Sequence, residues 1–249
     1  MKILNNMFAA LFGKRSATFF CAALVAALAP GCSSLMAGKS HAPKVAAYAP
    51  TNHSGDKVMP ASLRRIVLLP ISGGSAATEE SAALLDPVAL SILQGQNRFE
   101  VVQMTRDECY DHFHVSSISS VSALPSNLMS VIKQEYNADA VMFVDLTVYN
   151  AYEPIAIGLR AKLATVDGAR LVWIFDNVFS SDNPAVRATA TRFLQGREQS
   201  GLPADISEVT IESPTRFATY ATDAMFATLP PVTAPEHAPE EGRKAAIKR

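Results

Sequence analysis

Between about residues 63 and 229 the apolar positions follow two rhythms. One is the short, unbroken or alternating run of a strand. The other is the three-and-four spacing of an amphipathic helix. Arg65-Ile66-Val67-Leu68-Leu69-Pro70-Ile71 is a run of the first kind. Its β-branched residues predict a buried strand, and Pro70, which has no amide hydrogen, ends the bonded part. After the loop Ser72-Gly73-Gly74-Ser75, the pattern predicts a helix from an N-cap at Thr78 to about Gln94, with Glu79 and Glu80 in its first turn. Pro87 falls inside it and predicts a kink or a break into two helices. Phe99 to Gln103 reads as a second strand, and Thr105 caps a short helical turn through Tyr110. Residues 111–125 are Ser-rich and without a period. Leu128, Val131 and Ile132 form one helical stripe over Asn127 to Tyr136.

The strongest pattern follows. Ala140 to Tyr149 (AVMFVDLTVY) is a long strand. Ile155, Ile157, Leu159, Ala161 and Leu163 then alternate with Ala156, Gly158, Arg160, Lys162 and Ala164, a strand with one buried face. Asp167-Gly168 signals a hairpin, and Leu171 to Val178 is the return strand, giving an antiparallel three-strand meander. Two helical segments close the domain, about Pro184 to Gln199 and about Pro214 to Ala227. The order β-α-β-(α)-α-β-β-β-α-α predicts an α/β (α+β) fold, a mixed sheet with helices packed on it. Trp173 is expected in the core, and Asp145 on the solvated face of its strand.

The flanks differ in kind. Lys2, Lys14 and Arg15 precede the apolar run Ala17 to Ala29, which is shorter than the roughly 20 apolar residues a membrane span takes. A positive flank, a short apolar centre and small residues predict a signal peptide over residues 1–31. Residues 32–62 are rich in Ala, Ser, Pro, Gly and His and predict a flexible tether. The stretch 230–249 (PPVTAPEHAPEEGRKAAIKR) predicts a disordered tail. Leu28-Ala29-Pro30-Gly31-Cys32-Ser33 resembles a bacterial lipobox, although Leu28 stands four residues before Cys32 rather than three. The resemblance implies acylation of Cys32, and Ser33 in place of Asp implies sorting to the outer membrane, facing the periplasm. The plain alternative is ordinary cleavage near Ala29 or Gly31.

Charge and cysteine usage narrow the classes. The net charge is −1 and no basic stripe stands out, so a nucleic-acid partner is not expected. With Cys21 in the signal and Cys32 acylated, Cys109 is the one remaining thiol, and no internal disulfide is expected. Cys109 belongs to Asp107-Glu108-Cys109-Tyr110-Asp111-His112-Phe113-His114, where Cys109 and His112 could share a helix face. Cys109, His112 and His114 are the candidate metal ligands, although a closed zinc site takes four and no second paired motif exists. The alternative is a polar helix end with a partly buried thiol. Gly38-Lys39-Ser40 lacks the earlier glycine of a phosphate loop, and no Gly-x-Ser-x-Gly elbow is present. The amides of Ser72-Gly73-Gly74-Ser75 could meet an anion, but a strand-to-helix turn explains them as well.

The succession RIVLLPI, then RFEVVQMTR (98–106), YNADAVMFVDLTVY (136–149) and IGLRAKLATVDGARLVW (157–173) resembles a superfamily of bacterial envelope proteins. It includes the curli secretion-channel lipoprotein, the N-terminal domain of the Tol-Pal translocation protein and peptidoglycan-synthase activator lipoproteins. The resemblance covers roughly residues 65–178 and implies a domain like an anticodon-binding domain, without catalytic residues or cofactor. It implies protein recognition or self-assembly in the envelope. Residues 112–126 are too short and too poorly alternating for the lipid-facing hairpins of a channel. The expected reading is therefore a non-enzymatic outer-membrane lipoprotein. Alternatives are a subunit of a secretion ring and a periplasmic metal-binding protein or hydrolase built on residues 107–114. Intact-mass analysis of the membrane-extracted protein should find a chain beginning at Cys32 with acyl mass. A Cys32→Ala variant should lack that species, and an unacylated wild-type chain would remove the anchor.

Overall fold

The computed structural model describes residues 46–168, 170–197 and 213–232. The expected signal segment, Cys32 and Gly38-Lys39-Ser40 lie outside the described residues, as does the tail beyond residue 232. The elements are β1 (His53–Gly55), β2 (Arg65–Leu68), α1 (Ala76–Gly95), β3 (Glu100–Gln103), α2 (Arg106–Phe113) and α3 (Leu128–Glu135). They continue with β4 (Ala140–Asn150), β5 (Ala156–Thr165), β6 (Leu171–Ser180), α4 (Pro184–Arg197) and a last helix, α5 (Pro214–Phe226). The sheet order is β1-β6-β5-β4-β2-β3. β2 runs parallel to both β3 and β4, while β4, β5, β6 and β1 pair antiparallel. The fold is thus an α+β mixed sheet containing the expected meander.

β4 shows why its sequence is apolar on both sides. Successive strand side chains point to opposite faces. Ala140, Met142, Val144 and Leu146 enter one core with residues of α1, α4 and α5, whereas Val141 and Phe143 enter a second with α2 and α3. The first core is aromatic. Trp173 stacks on Phe175 and Phe175 on Phe179, at centroid distances of 6.0 and 6.3 Å, and Tyr220 meets Phe179 edge-on. Trp173 is buried, as expected, and its indole N–H donates to Thr228 Oγ1 over 3.1 Å. Burial raises the Tyr220 phenol to about 12, and its hydroxyl has no hydrogen-bond partner among the described residues.

The two faces of the sheet are covered unequally. On β5 and β6, Ile157, Leu159, Ala161, Trp173, Phe175 and Phe179 face the first core. Their alternates Arg160, Lys162, Ile174, Asp176 and Val178 are in neither core, and Ile174 and Val178 are exposed. The second layer of helices therefore stops at the middle of the sheet.

Several expectations are revised. The domain begins earlier than residue 63: His53, Ser54 and Gly55 pair with Phe175, Ile174 and Trp173, inside the segment expected to be a tether. No apolar period announced this strand, because its fixed partners are backbone groups and its side chains are exposed. Tyr48 also packs on Phe179, and its amide donates to Thr189 Oγ1 over 2.8 Å. At the other end, Pro230 is buried and Pro231 accepts the Met59 amide at 2.8 Å, so the first residues of the expected tail belong to the domain. α1 is one helix through Pro87, and its N-cap is Ser75 rather than Thr78. The Thr78 hydroxyl instead donates to the Gly73 carbonyl. Thr105 forms a full capping box with Glu108, and α2 extends to Phe113, past Tyr110. Asp145 is buried, contrary to its expected solvated position.

Truncating Phe179 to Ala should cost about 3–5 kcal/mol in urea unfolding, as for other buried aromatic deletions. The Leu84→Ala change on the outer face of α1, where Leu84 is 66% exposed, should stay within about 0.5 kcal/mol.

Candidate functional site

A cleft of about 610 Å³ opens where β2 ends. Its walls are the 72–75 loop, the first turn of α1, the end of α2 and the segment that follows α2. The place follows from topology. β2 leaves through α1 toward β3 on one side, whereas its other neighbour, β4, leaves by a hairpin toward β5. Two adjacent strands whose exits diverge leave a crevice at their carboxyl ends, where ligands of open α/β sheets bind.

One cation assembles the rim. Arg106 at the start of α2 donates to Asp86 Oδ2 over 2.7 Å, to Glu79 Oε1 over 2.6 Å and to the Ile71 carbonyl over 2.7 Å. Asp86 also accepts the Ile71 amide at 2.8 Å. Glu79 accepts the Gly73 amide and the Ser117 hydroxyl, each at 2.7 Å. Thus α1, α2, the end of β2 and the segment after α2 meet at one charged knot. Asp86 immediately precedes Pro87, so the knot fastens to the sheet the very turn of helix that the proline was expected to break. Gly73 is required here, since a Cβ would lie 2.4 Å from the Glu79 amide nitrogen.

The carboxylates respond in opposite directions. For Asp86, burial is the largest influence and raises its pKa despite Arg106. Glu79 is also desolvated, but the bonds from Ser117, Gly73 and Arg106 together outweigh that and lower it. Burial works against the charge of Arg106, yet its bonds and attraction to Asp86 and Glu79 raise it. The Gly73 amide that could have met an external anion is already taken by Glu79.

A second polar group lies deeper. Asp145 is 5% exposed and accepts the Ser120 amide at 3.1 and 3.2 Å, together with the Ser120 hydroxyl. Lys162 Nζ donates to the Ser120 carbonyl over 2.7 Å. The 114–127 segment therefore lies over the middle of the sheet, and this explains why Asp145 is not solvated. Ser72 bridges to Asp145 on the edge of β4, its amide donating to Val144 O at 3.0 Å and its carbonyl accepting from Leu146 at 2.8 Å.

The expected metal cluster is dispersed. Cys109 is fully buried in the second core beside residues such as Val67, Leu69 and Ile132, and burial pushes its thiol up to about 11. His112 Nε2 pairs with Glu135 at 3.3 Å. His114 takes the left-handed C-cap position and lies edge-on to exposed Tyr110. Among the described residues no group of three or more His, Cys, Asp or Glu side chains is placed to hold a metal. The helical i/i+3 spacing was right for Cys109 and His112, but the apolar sheet claims the thiol. Neither Arg106 nor Asp86 stood out in the sequence, and the 114–127 segment showed there only as a Ser-rich stretch without a period. The available signals were an Asp inside an apolar helical stripe and a long segment without Asp, Glu, Lys or Arg.

No family model matches the chain, and no curated protein matches it. Solved structures similar to it include bacterial lipoproteins. The PelC dodecamer from Paraburkholderia phytofirmans is 11% identical, with 68% of this chain and 94% of that one covered and a TM-score of 0.37. A lipoprotein from Neisseria meningitidis is 14% identical over 55% of this chain and 99% of its own, with a TM-score of 0.39. The LpoB C-terminal domain from Salmonella enterica is 14% identical over 49% and 86%, with a TM-score of 0.32. Similarity of this degree carries nothing about activity or partners.

Replacing Arg106 by Ala leaves two carboxylates facing each other without their cation. At pH 7 it should cost about 3 kcal/mol in urea unfolding, the low end for breaking a buried pair because the groups are partly exposed. Glu79 stabilises the wild-type fold above its ordinary value of 4.5, and that contribution is lost as pH falls through its lower folded value. Asp86 has the opposite sign: it favours the fold below 3.8, and this is lost as pH rises through its raised folded value. The Arg106→Ala deficit should therefore shrink as the solution is made acid, since protonation removes the charge of both carboxylates. A deficit independent of pH would mean that the charges do not hold the knot.

Proposed function

We propose that this chain is a non-enzymatic lipoprotein of the bacterial outer membrane, anchored through acylated Cys32, whose periplasmic domain binds an envelope protein or assembles with its own kind. The observation that carries the reading is the open half of the sheet. Ile174 and Val178 are exposed there and stand beside the Arg160–Asp176 ion pair and Lys162. A face that combines apolar side chains with a charged surround is what a protein partner covers. The lipobox-like sequence ending at Cys32, the Ser at position 33 and the likeness of the strand pattern to the envelope superfamily support the location. The dispersal of Cys109, His112 and His114 leaves the metal-binding or hydrolytic alternative without a supporting observation.

Photo-crosslinking residues placed one at a time at Ile174, Val178 and Leu84 test this in intact membranes. Ile174 and Val178 should each trap the same discrete species, a heterologous protein or a second copy, and Leu84 on α1 should not. Equal patterns from all three sites, or no adduct from the open face, would sink the proposal.

A further inference from the structure

The two ends of the sheet show different surfaces to solvent. β4 and β6 both pair antiparallel with β5, so they run the same way as β2 and β3, and their carboxyl ends lie together. At the opposite end, side chains are tied in the ion pairs Arg65–Glu100, Lys133–Asp167 and Arg170–Asp56. At the carboxyl ends, the 114–127 segment closes on Glu79 and Asp145, and no Asp, Glu, Lys or Arg occurs from residue 112 to 132. Three aliphatic side chains of that segment nevertheless face water: Val115, Val121 and Leu124 are 44%, 62% and 43% exposed. In the connection from β4 to β5, at the same end, Tyr152 is 82% exposed. Single exposed apolar residues are ordinary. Four at one end of a sheet, three of them on an uncharged segment, mark a surface that is covered.

Two observations select a lipid surface as the cover. The first is where the chain enters. Tyr48 packs on Phe179 near the carboxyl end of β6, so the chain joins the domain at this same end, and Cys32 precedes it in sequence. The second is the kind of residue. Aliphatic side chains on a segment without charges enter the acyl boundary at no electrostatic cost, and Tyr is a residue of the headgroup level. Glu153, next to Tyr152, is paired with Arg187 at 3.8 Å, which keeps a cation at the rim where anionic headgroups lie. We infer that this end of the domain rests on the phospholipid surface to which the chain is anchored, with Val115, Val121 and Leu124 entering the acyl boundary and Tyr152 among the headgroups. The inference rests on the anchor proposed above and adds a contact that fixes which way the domain faces.

The test uses the acylated mature chain in vesicles of phosphatidylethanolamine and phosphatidylglycerol. Val121→Cys, Tyr152→Cys and Leu171→Cys each receive an environment-sensitive fluorophore, and Cys109, being buried, stays unlabelled. Leu171 is 50% exposed at the opposite end of the sheet and is the control. Emission at positions 121 and 152 should shift to the blue on reconstitution and be quenched by lipid carrying a nitroxide on its acyl chain. Emission at position 171 should do neither. Val115→Ser with Leu124→Ser should reduce the quenching at 121 and 152 while the thermal midpoint stays unchanged. Equal behaviour at all three positions, or quenching that survives both serines, would overturn the inference. A label at 121 that is shielded in native membranes but wet in these vesicles would also overturn it and assign the surface to a protein. If the chain floats with the vesicles while 121 and 152 remain unquenched, the anchor stands and only this contact falls. If the chain does not float, anchor and contact fall together.

Discussion

The arrangement around β2 depends on one guanidinium. Among the described residues Arg106 is the one cation paired with Glu79 and Asp86, and it reaches acids that lie 27 and 20 residues earlier in the chain. Ion clusters of this kind add little net stability, because removing the charges from water offsets most of their attraction. Their effect is to select one arrangement among several that hydrophobic burial would allow equally. Apolar burial would hold α1 on the sheet in more than one rotation. The bonds from Ile71 and Arg106 to Asp86 allow one.

The second consequence is asymmetry. On the side of α1, α4 and α5, apolar residues from β2, β3, β4, β5 and β6 form one core with an aromatic centre. On the other side, α2 and α3 are each 8 residues long. Elements of that length cover β2 and β4 but not β5 and β6. The 114–127 segment extends the cover as far as Asp145 and Lys162, through polar contacts to Ser120 beside the burial of Ile118 in the second core. A loop held by polar bonds can border a cleft without filling it, which a helix packed by side chains could not.

The sheet and its helices were legible because period-two and period-3.6 patterns report directly on burial. Residues 155–164 are the clearest case, where alternation assigned the face of the strand that enters the first core. β1 was not legible, since a three-residue exposed edge strand is made by backbone pairing that leaves no side-chain pattern. Of the two outcomes expected at Pro87, a break did not occur. Asp86 beside it accepts from Ile71 and Arg106 and fastens that turn of α1. Asp145 was placed on the solvated side as an acid among apolar strand neighbours, yet a segment 25 residues earlier closes over it. Cys109 and His112 were correctly set on a helix. Whether they converge on a ligand was decided by which helix face met the sheet, and the apolar residues of β2 decided that in favour of burial.

The pairing of β1 with β6 bears on the mechanics of the domain. β1 enters the sheet through three residue pairs at its margin, and Tyr48 packs on Phe179 just before it. A pull on the chain from the N-terminal side would load these contacts before any other part of the described residues. The three pairs would yield well before the aromatic core beneath them, so that β1 would peel away and leave the rest of the fold standing.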